Sequence, residues 1–188
     1  MRNLFDSQLN TLHRKLIEMG SACETAIDLA VKALLEGNAD IAHEAASHDR
    51  EIDQMERDIE GRCMKLLLHQ QPVAKDLRLI SAALKMITDM ERIGDHAADI
   101  GELILRNEIQ ELNLFSVHLK EMIRASMELF SNAIDSFVEE NGEAAKRTIE
   151  EDDIVDELFN KVKRDIINGL KKESGKEDHY PLRARTYV

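Results

Sequence analysis

The chain of 188 residues carries one pattern twice. A shift of 103 positions, with no gap, sets Leu9 on Leu112, Asn10 on Asn113, Leu16 on Leu119, Met19 on Met122 and Ala22 on Ala125. The same shift sets Asn38 on Asn141, Ala42 on Ala145, Asp49 on Asp152, Asp53 on Asp156 and Leu67 on Leu170, and it keeps Ile52/Val155, Met55/Leu158 and Ile59/Val162 apolar. Helical proteins share apolar seams by chance, but not turn and acidic positions as well, so an internal duplication follows. Whatever unit the first half forms, the second half must at least begin to form.

That unit is helical. Leu9, Leu12, Leu16, Met19, Cys23, Ala26, Ala30 and Ala33 recur in steps of three and four, the seam of a long first helix packed nearly parallel to its neighbours. Gly37-Asn38 breaks it, and Asp40 is expected to cap the second helix, whose seam is Ile41, Ala45, His48, Ile52, Met55, Ile59 and Leu66. Pro72 suits the first turn of a third helix, with Val73, Leu77, Ile80, Leu84 and Ile87 on its seam. With only 2 prolines, 8 glycines and 4% aromatics the composition favours helix, and almost no sheet is expected. The fold class predicted is all-α, built of tandem antiparallel three-helix bundles with up-down-up connections.

Residues 1–107 make the first repeat and 108–173 an incomplete second one of two helices; 174–188 form an atypical tail. A copy of the third helix should begin after Glu173, yet Gly175, Pro181 and mixed charges carry no apolar period there. Two helices leave an apolar face open, and dimerisation through that face is expected.

The formal charge of -12, with no basic stripe, excludes a nucleic-acid partner and favours cations or basic protein surfaces. No apolar run spans a bilayer and no signal peptide opens the chain, so direct membrane insertion is excluded and a cytoplasmic location is expected. Cys23 and Cys63 both fall on apolar seams, as buried free thiols do.

Carried past Ile87, the third seam runs through Glu91, Gly94, Ala98, Gly101 and Leu105, which puts a carboxylate in a core slot. A buried carboxylate must be protonated, paired or bound to metal, and the neighbouring glycines leave space beside it. Asp95 and Asp99 follow at four-residue intervals on the same face, and the second helix offers Asp49 and Asp53, also at i and i+4. Two facing helices with such pairs build carboxylate metal sites in helical bundles. A solvated acidic face is the alternative reading. His96 lies one position off the stripe and is read as a surface histidine, Asp89 and Glu102 as solvated. Asp152 and Asp156 repeat the second-helix pair and form at most a partial second site, since their third-helix counterparts would fall past residue 188. Nucleophilic catalysis has little support, and no glycine-rich phosphate loop occurs.

The run Asp89-Met-Glu-Arg-Ile-Gly-Asp-His96 resembles the signature of the phosphate-uptake regulator (PhoU) family. Gln71-Pro72 followed by Asp76-Leu77-Arg78 resembles that family's approach to the same helix. The resemblance covers essentially the whole chain to Glu173, including a tandem three-helix repeat and a twice-used acidic motif; the tail departs from it where a second signature helix should stand. It implies metal ions, iron or zinc foremost and in clusters, held by Glu91 and Asp95 with Asp49 and Asp53, and more weakly by Asp99. It also implies a negative regulator of phosphate uptake that connects a phosphate ABC transporter ATPase to a sensor histidine kinase and is no enzyme itself. Two rivals stand beside this reading. A carboxylate-bridged di-metal enzyme would add a Glu-x-x-His to each half-site, which the acidic clusters lack. A metal-free structural scaffold would use the acids only as solvated surface.

Overall fold

The computed structural model describes residues 2–69, 73–106 and 117–174 as six helices and no strand. They are α1 (Arg2–Glu36), α2 (Ala39–Ser47), α3 (Asp49–His69), α4 (Ala74–Leu105), α5 (Val117–Val138) and α6 (Gly142–Ser174). Helices α1 to α4 form the first antiparallel bundle, α5 and α6 form a hairpin, and α5 leans on α1. The Gln71-Pro72 lead, the matches at Leu112 and Asn113, and the tail beyond Ser174 lie outside the described residues.

The first helix follows its sequence seam closely. Leu12, Leu16, Met19, Cys23, Ala26, Ala30 and Ala33 are all buried, and only Leu9 sits at the margin. Both cysteines are buried and free, and burial pushes the Cys23 thiol up to about 12 and Cys63 up to about 11, so neither is a reactive thiolate at neutral pH.

The duplication extends to the turns. Gly37 has φ 61° and Glu140, 103 positions on, has φ 51°, both left-handed. Each is followed by an asparagine cap: Asn38 Oδ1 accepts from the Asp40 and Ile41 amides, and Asn141 Oδ1 accepts from the Ala144 amide. Asn38, rather than the expected Asp40, is therefore the cap, because its extended backbone points the side chain at those amides. Glu140 also pairs with Lys75 at 2.6 Å, which ties the end of α5 to the start of α4. Gly20 fits α5 closely, since a Cβ there would stand 2.5 Å from Ile134 Cδ1, and His13 meets the Phe137 ring edge-on at 6.1 Å.

Two expectations about the first bundle need correction. The second helix is broken in two at His48, where the His48 amide bonds the Ala45 carbonyl and the Ser47 hydroxyl bonds that of Glu44. These i to i−3 bonds tighten the last turn of α2 and let α3 restart at Asp49. In α4 the buried line is Ile80, Ala83, Ile87, Met90, Gly94, Ala97 and Gly101, so Met90 and not Glu91 occupies the core slot. Val73 and Leu77 are exposed rather than on the seam. The reason is that α4 touches α1 on one side and α2 with α3 on the other. A three-or-four step from Ile80 leads equally to Ala83 or Leu84, and packing on both sides chooses the smaller residue.

Gly94 and Gly101 set how close α4 comes. A Cβ on Gly101 would lie 2.7 Å from the Ala42 carbonyl oxygen, and one on Gly94 would lie 2.8 Å from Ile52 Cδ1. The space beside these glycines is thus taken by the neighbouring helix, not held for a ligand. Ile52 can turn its side chain, whereas the α2 backbone at Ala42 cannot yield without moving the helix. Gly101→Ala is expected to destabilise the protein by roughly 2–3 kcal/mol in urea unfolding, and Gly94→Ala by less than about 1 kcal/mol, since alanine's helix propensity offsets part of each strain. Equal costs would contradict the backbone contact.

Candidate metal centre

The break at His48 puts Asp49 in the first turn of α3, and Asp53 follows one turn later on the same side. From α4, drawn in by its glycines, Asp95 approaches them. Asp49, Asp53 and Asp95 each offer a carboxylate oxygen, and the three lie within 4.8 Å of one another. Asp49 and Asp53 are half-buried and Asp95 is exposed, so the group stands at the mouth of the α3–α4 groove.

Like charges this close resist ionising together. Burial, a hydrogen bond with Asp95 and the charges of Asp95, Asp53 and Asp99 push the Asp49 carboxyl up to about 6. The sole cation paired with any of the three among the described residues is Arg57, 3.3 Å from Asp53. The surplus of negative charge is thus only partly offset within the protein. Three convergent, under-neutralised carboxylates fit a bound divalent or trivalent cation, and they supply hard oxygen donors only.

The remaining predicted residues stand at different distances from this group. Glu91 is half-buried on the flank of the α4 seam, and its carboxyl is raised by burial first and then by Asp95, Glu56, Asp53 and Asp49. It belongs to the same field but not to the trio. Asp99 is exposed and faces His96 at 3.9 Å, so it contributes to the field at Asp49 and lies at the edge of the stripe. His96 is a surface side chain, as expected. Glu56, not singled out in the sequence, lies on the same face of α3, accepts a hydrogen bond from Thr88 and presses on Glu91. Its signal was the i, i+4, i+7 series of Asp49, Asp53 and Glu56. Asp152 and Asp156 are both exposed on α6, and among the described residues no third acid joins them.

Comparison with known proteins gives a consistent result. The model of the PhoU domain family matches residues 16–104 and again residues 119–187, once per repeat. The chain is 32% identical over 93% of its length to the phosphate-specific transport system accessory protein PhoU homolog of Clostridium acetobutylicum, covering 80% of that protein. It is 35% identical over 85% of its length to the protein of the same description from Aquifex aeolicus, covering 72% of it. Its fold matches the crystal structure of PhoU from Pseudomonas aeruginosa with a TM-score of 0.81 at 27% identity, over 90% of this chain and 82% of that one.

The raised Asp49 carboxyl has a definite consequence for stability. A carboxyl that holds its proton more tightly folded than unfolded stabilises the fold at low pH, and this contribution is lost as pH rises from the unfolded value of 3.8 through about 6. Cation-free protein should therefore melt lower relative to Asp49→Asn at about pH 7 than at about pH 5. Thermal melts of both proteins in chelator at the two pH values check this. A difference that does not change with pH contradicts it.

Proposed function

The chain belongs to the PhoU family, and from that premise we propose that it is an accessory protein of a phosphate-specific transport system. In this reading it works in the cytoplasm as a negative regulator of phosphate uptake and phosphate-starvation signalling. It is a metal-binding scaffold between the transporter ATPase and a sensor histidine kinase, and it carries out no catalysis. The family match over both repeats supports the transport role, and the names of the relatives describe accessory proteins rather than enzymes. No helix among the described residues is long and apolar enough to cross a membrane.

The observation that carries the metal part is the convergence of Asp49, Asp53 and Asp95 within 4.8 Å. Asp49 and Asp53 from α3 and Asp95 from α4 would hold the ion. Glu91 stands beside them as a further oxygen donor, and Asp99 and Glu56 extend the negative field around them. A bound cation would remove the mutual repulsion of the trio and brace α3 against α4, which makes the ion a structural clasp. Iron and zinc are the first ions to test; the oxygen-only donor set suits hard cations such as ferric iron better than it suits zinc.

Two measurements test this reading separately. Elemental analysis of protein purified without added ions should find metal in the parent and less than about a tenth as much in Asp49→Ala/Asp95→Ala, since two of three ligands are gone. Equal metal in both, or none in either, would remove the clasp and leave the acids as a solvated surface. Affinity capture from cells should retain the transporter ATPase and the sensor kinase, and loss of both partners under phosphate-replete conditions sinks the scaffold role.

A further inference from the structure

A glycine inside a helix weakens it relative to alanine, so a helical glycine calls for a reason. Gly20, Gly94 and Gly101 have one, because a Cβ on each would collide with a neighbouring helix. Gly61, in the middle of α3, has none in the packing: a Cβ there would meet nothing within 4 Å. Its backbone is ordinary helix, so no turn demands a glycine either. What the missing side chain leaves is space at the surface.

That space is the floor of a cleft of about 360 Å³ between α3 and α1. Arg57 and Lys65 stand one turn before and one turn after Gly61 on the same line of α3, and Arg62 stands beside it. Gln8 and Thr11 form the α1 wall. The Thr11 hydroxyl donates to the Ser7 carbonyl, which leaves the Gln8 amide as the donor from that side. Asp58 is the one acid in the lining, and its carboxylate already accepts from Gln54. Three cations against one acid reverse the balance of a chain whose formal charge is -12.

These cations are not all spent on the protein's own acids. Arg57 is held at 3.3 Å by Asp53, but Arg62 and Lys65 have no ion-pair partner among the described residues. Glu18, the α1 acid that feels the charge of Arg62, is bonded by Lys15 and faces Arg14 at 3.7 Å. We propose that the Gly61 cleft binds a small oxyanion of the phosphate type, with Arg62 and Lys65 as its main donors and Arg57 on the other side of the notch. A doubly charged anion matches the surplus charge of the lining, and the planar fork of an arginine fits two oxygens of one tetrahedral group. A free phosphate and the phosphate end of a larger molecule present that same group. The site is built from α1 and α3 alone, so it stands whether or not Asp49, Asp53 and Asp95 hold a cation.

Calorimetric titration of the full chain in metal-free buffer at low ionic strength tests the site, with inorganic phosphate, phenyl phosphate and, as a singly charged control, acetate. Phosphate or phenyl phosphate is expected to saturate one site per chain, and acetate is not. Gly61→Leu, which fills the notch, should weaken binding roughly tenfold or more without lowering the melting temperature, since leucine is the better helix former. Arg62→Gln/Lys65→Gln should weaken it as much, whereas Lys120→Gln/Arg124→Gln, which removes equal charge from α5, should leave affinity within about twofold. Tighter phenyl phosphate supports the cleft and assigns it to a phosphate carried on a larger molecule; tighter inorganic phosphate supports it and assigns it to the free anion. No saturable binding of either by the parent up to about 10 mM overturns the proposal. So does a Gly61→Leu protein that binds as the parent does, and so does a remote pair that costs as much as the cleft pair, which reduces the binding to general charge attraction.

Discussion

The close approach of α4 to α2 and α3 is the constraint on which the rest of the first bundle depends. Gly94 and Gly101 have no side chain, so Ile52 and the Ala42 carbonyl sit where Cβ atoms would be. That closeness buries the line from Ile80 to Gly101 and brings Asp95 over Asp49 and Asp53. The same packing that excludes water along the seam therefore assembles negative charge at its margin. The fold accepts that repulsion at the groove mouth, where Asp95 is still exposed, and not in the core, where it would be far more costly.

Some of this was legible in the sequence and some was not, for physical reasons. The α1 seam was readable because its large apolar residues recur on one face, so periodicity alone located Leu12 to Ala33. On α4 the sequence seam holds at Ile80, Ile87, Gly94 and Gly101, while between them the buried residue is one position earlier, because that helix is packed on two sides and the choice between Ala83 and Leu84, or Met90 and Glu91, belongs to tertiary packing. The break at His48 rests on local i to i−3 bonds that no apolar pattern records. At the candidate site, the spacing of Asp49 with Asp53 and of Glu91 with Asp95 points to α3 and α4, and the structure brings Asp49, Asp53 and Asp95 within 4.8 Å of one another. Which acids converge depends on the depth to which α4 settles, and that selected Asp95 and left Glu91 on the flank.

The duplication explains why the two halves use one pattern differently. Both repeats keep the left-handed residue and the asparagine cap at the first turn, Gly37 with Asn38 and Glu140 with Asn141, so the geometry of the hairpin is shared. In the first repeat a third helix brings Asp95 against the α3 acids Asp49 and Asp53. On α6 the same positions are exposed among the described residues, and no third acid joins them there. The chemistry of a repeated position thus follows from what packs over it.

The central claim is that the α3–α4 acids form a cation site. Anomalous diffraction from crystals grown with iron or zinc, recorded on both sides of the metal's absorption edge, tests it most directly. The account predicts an anomalous peak bounded by the carboxylates of Asp49, Asp53 and Asp95. Fully loaded crystals with no peak there, or with their only peak elsewhere on the molecule, would contradict it.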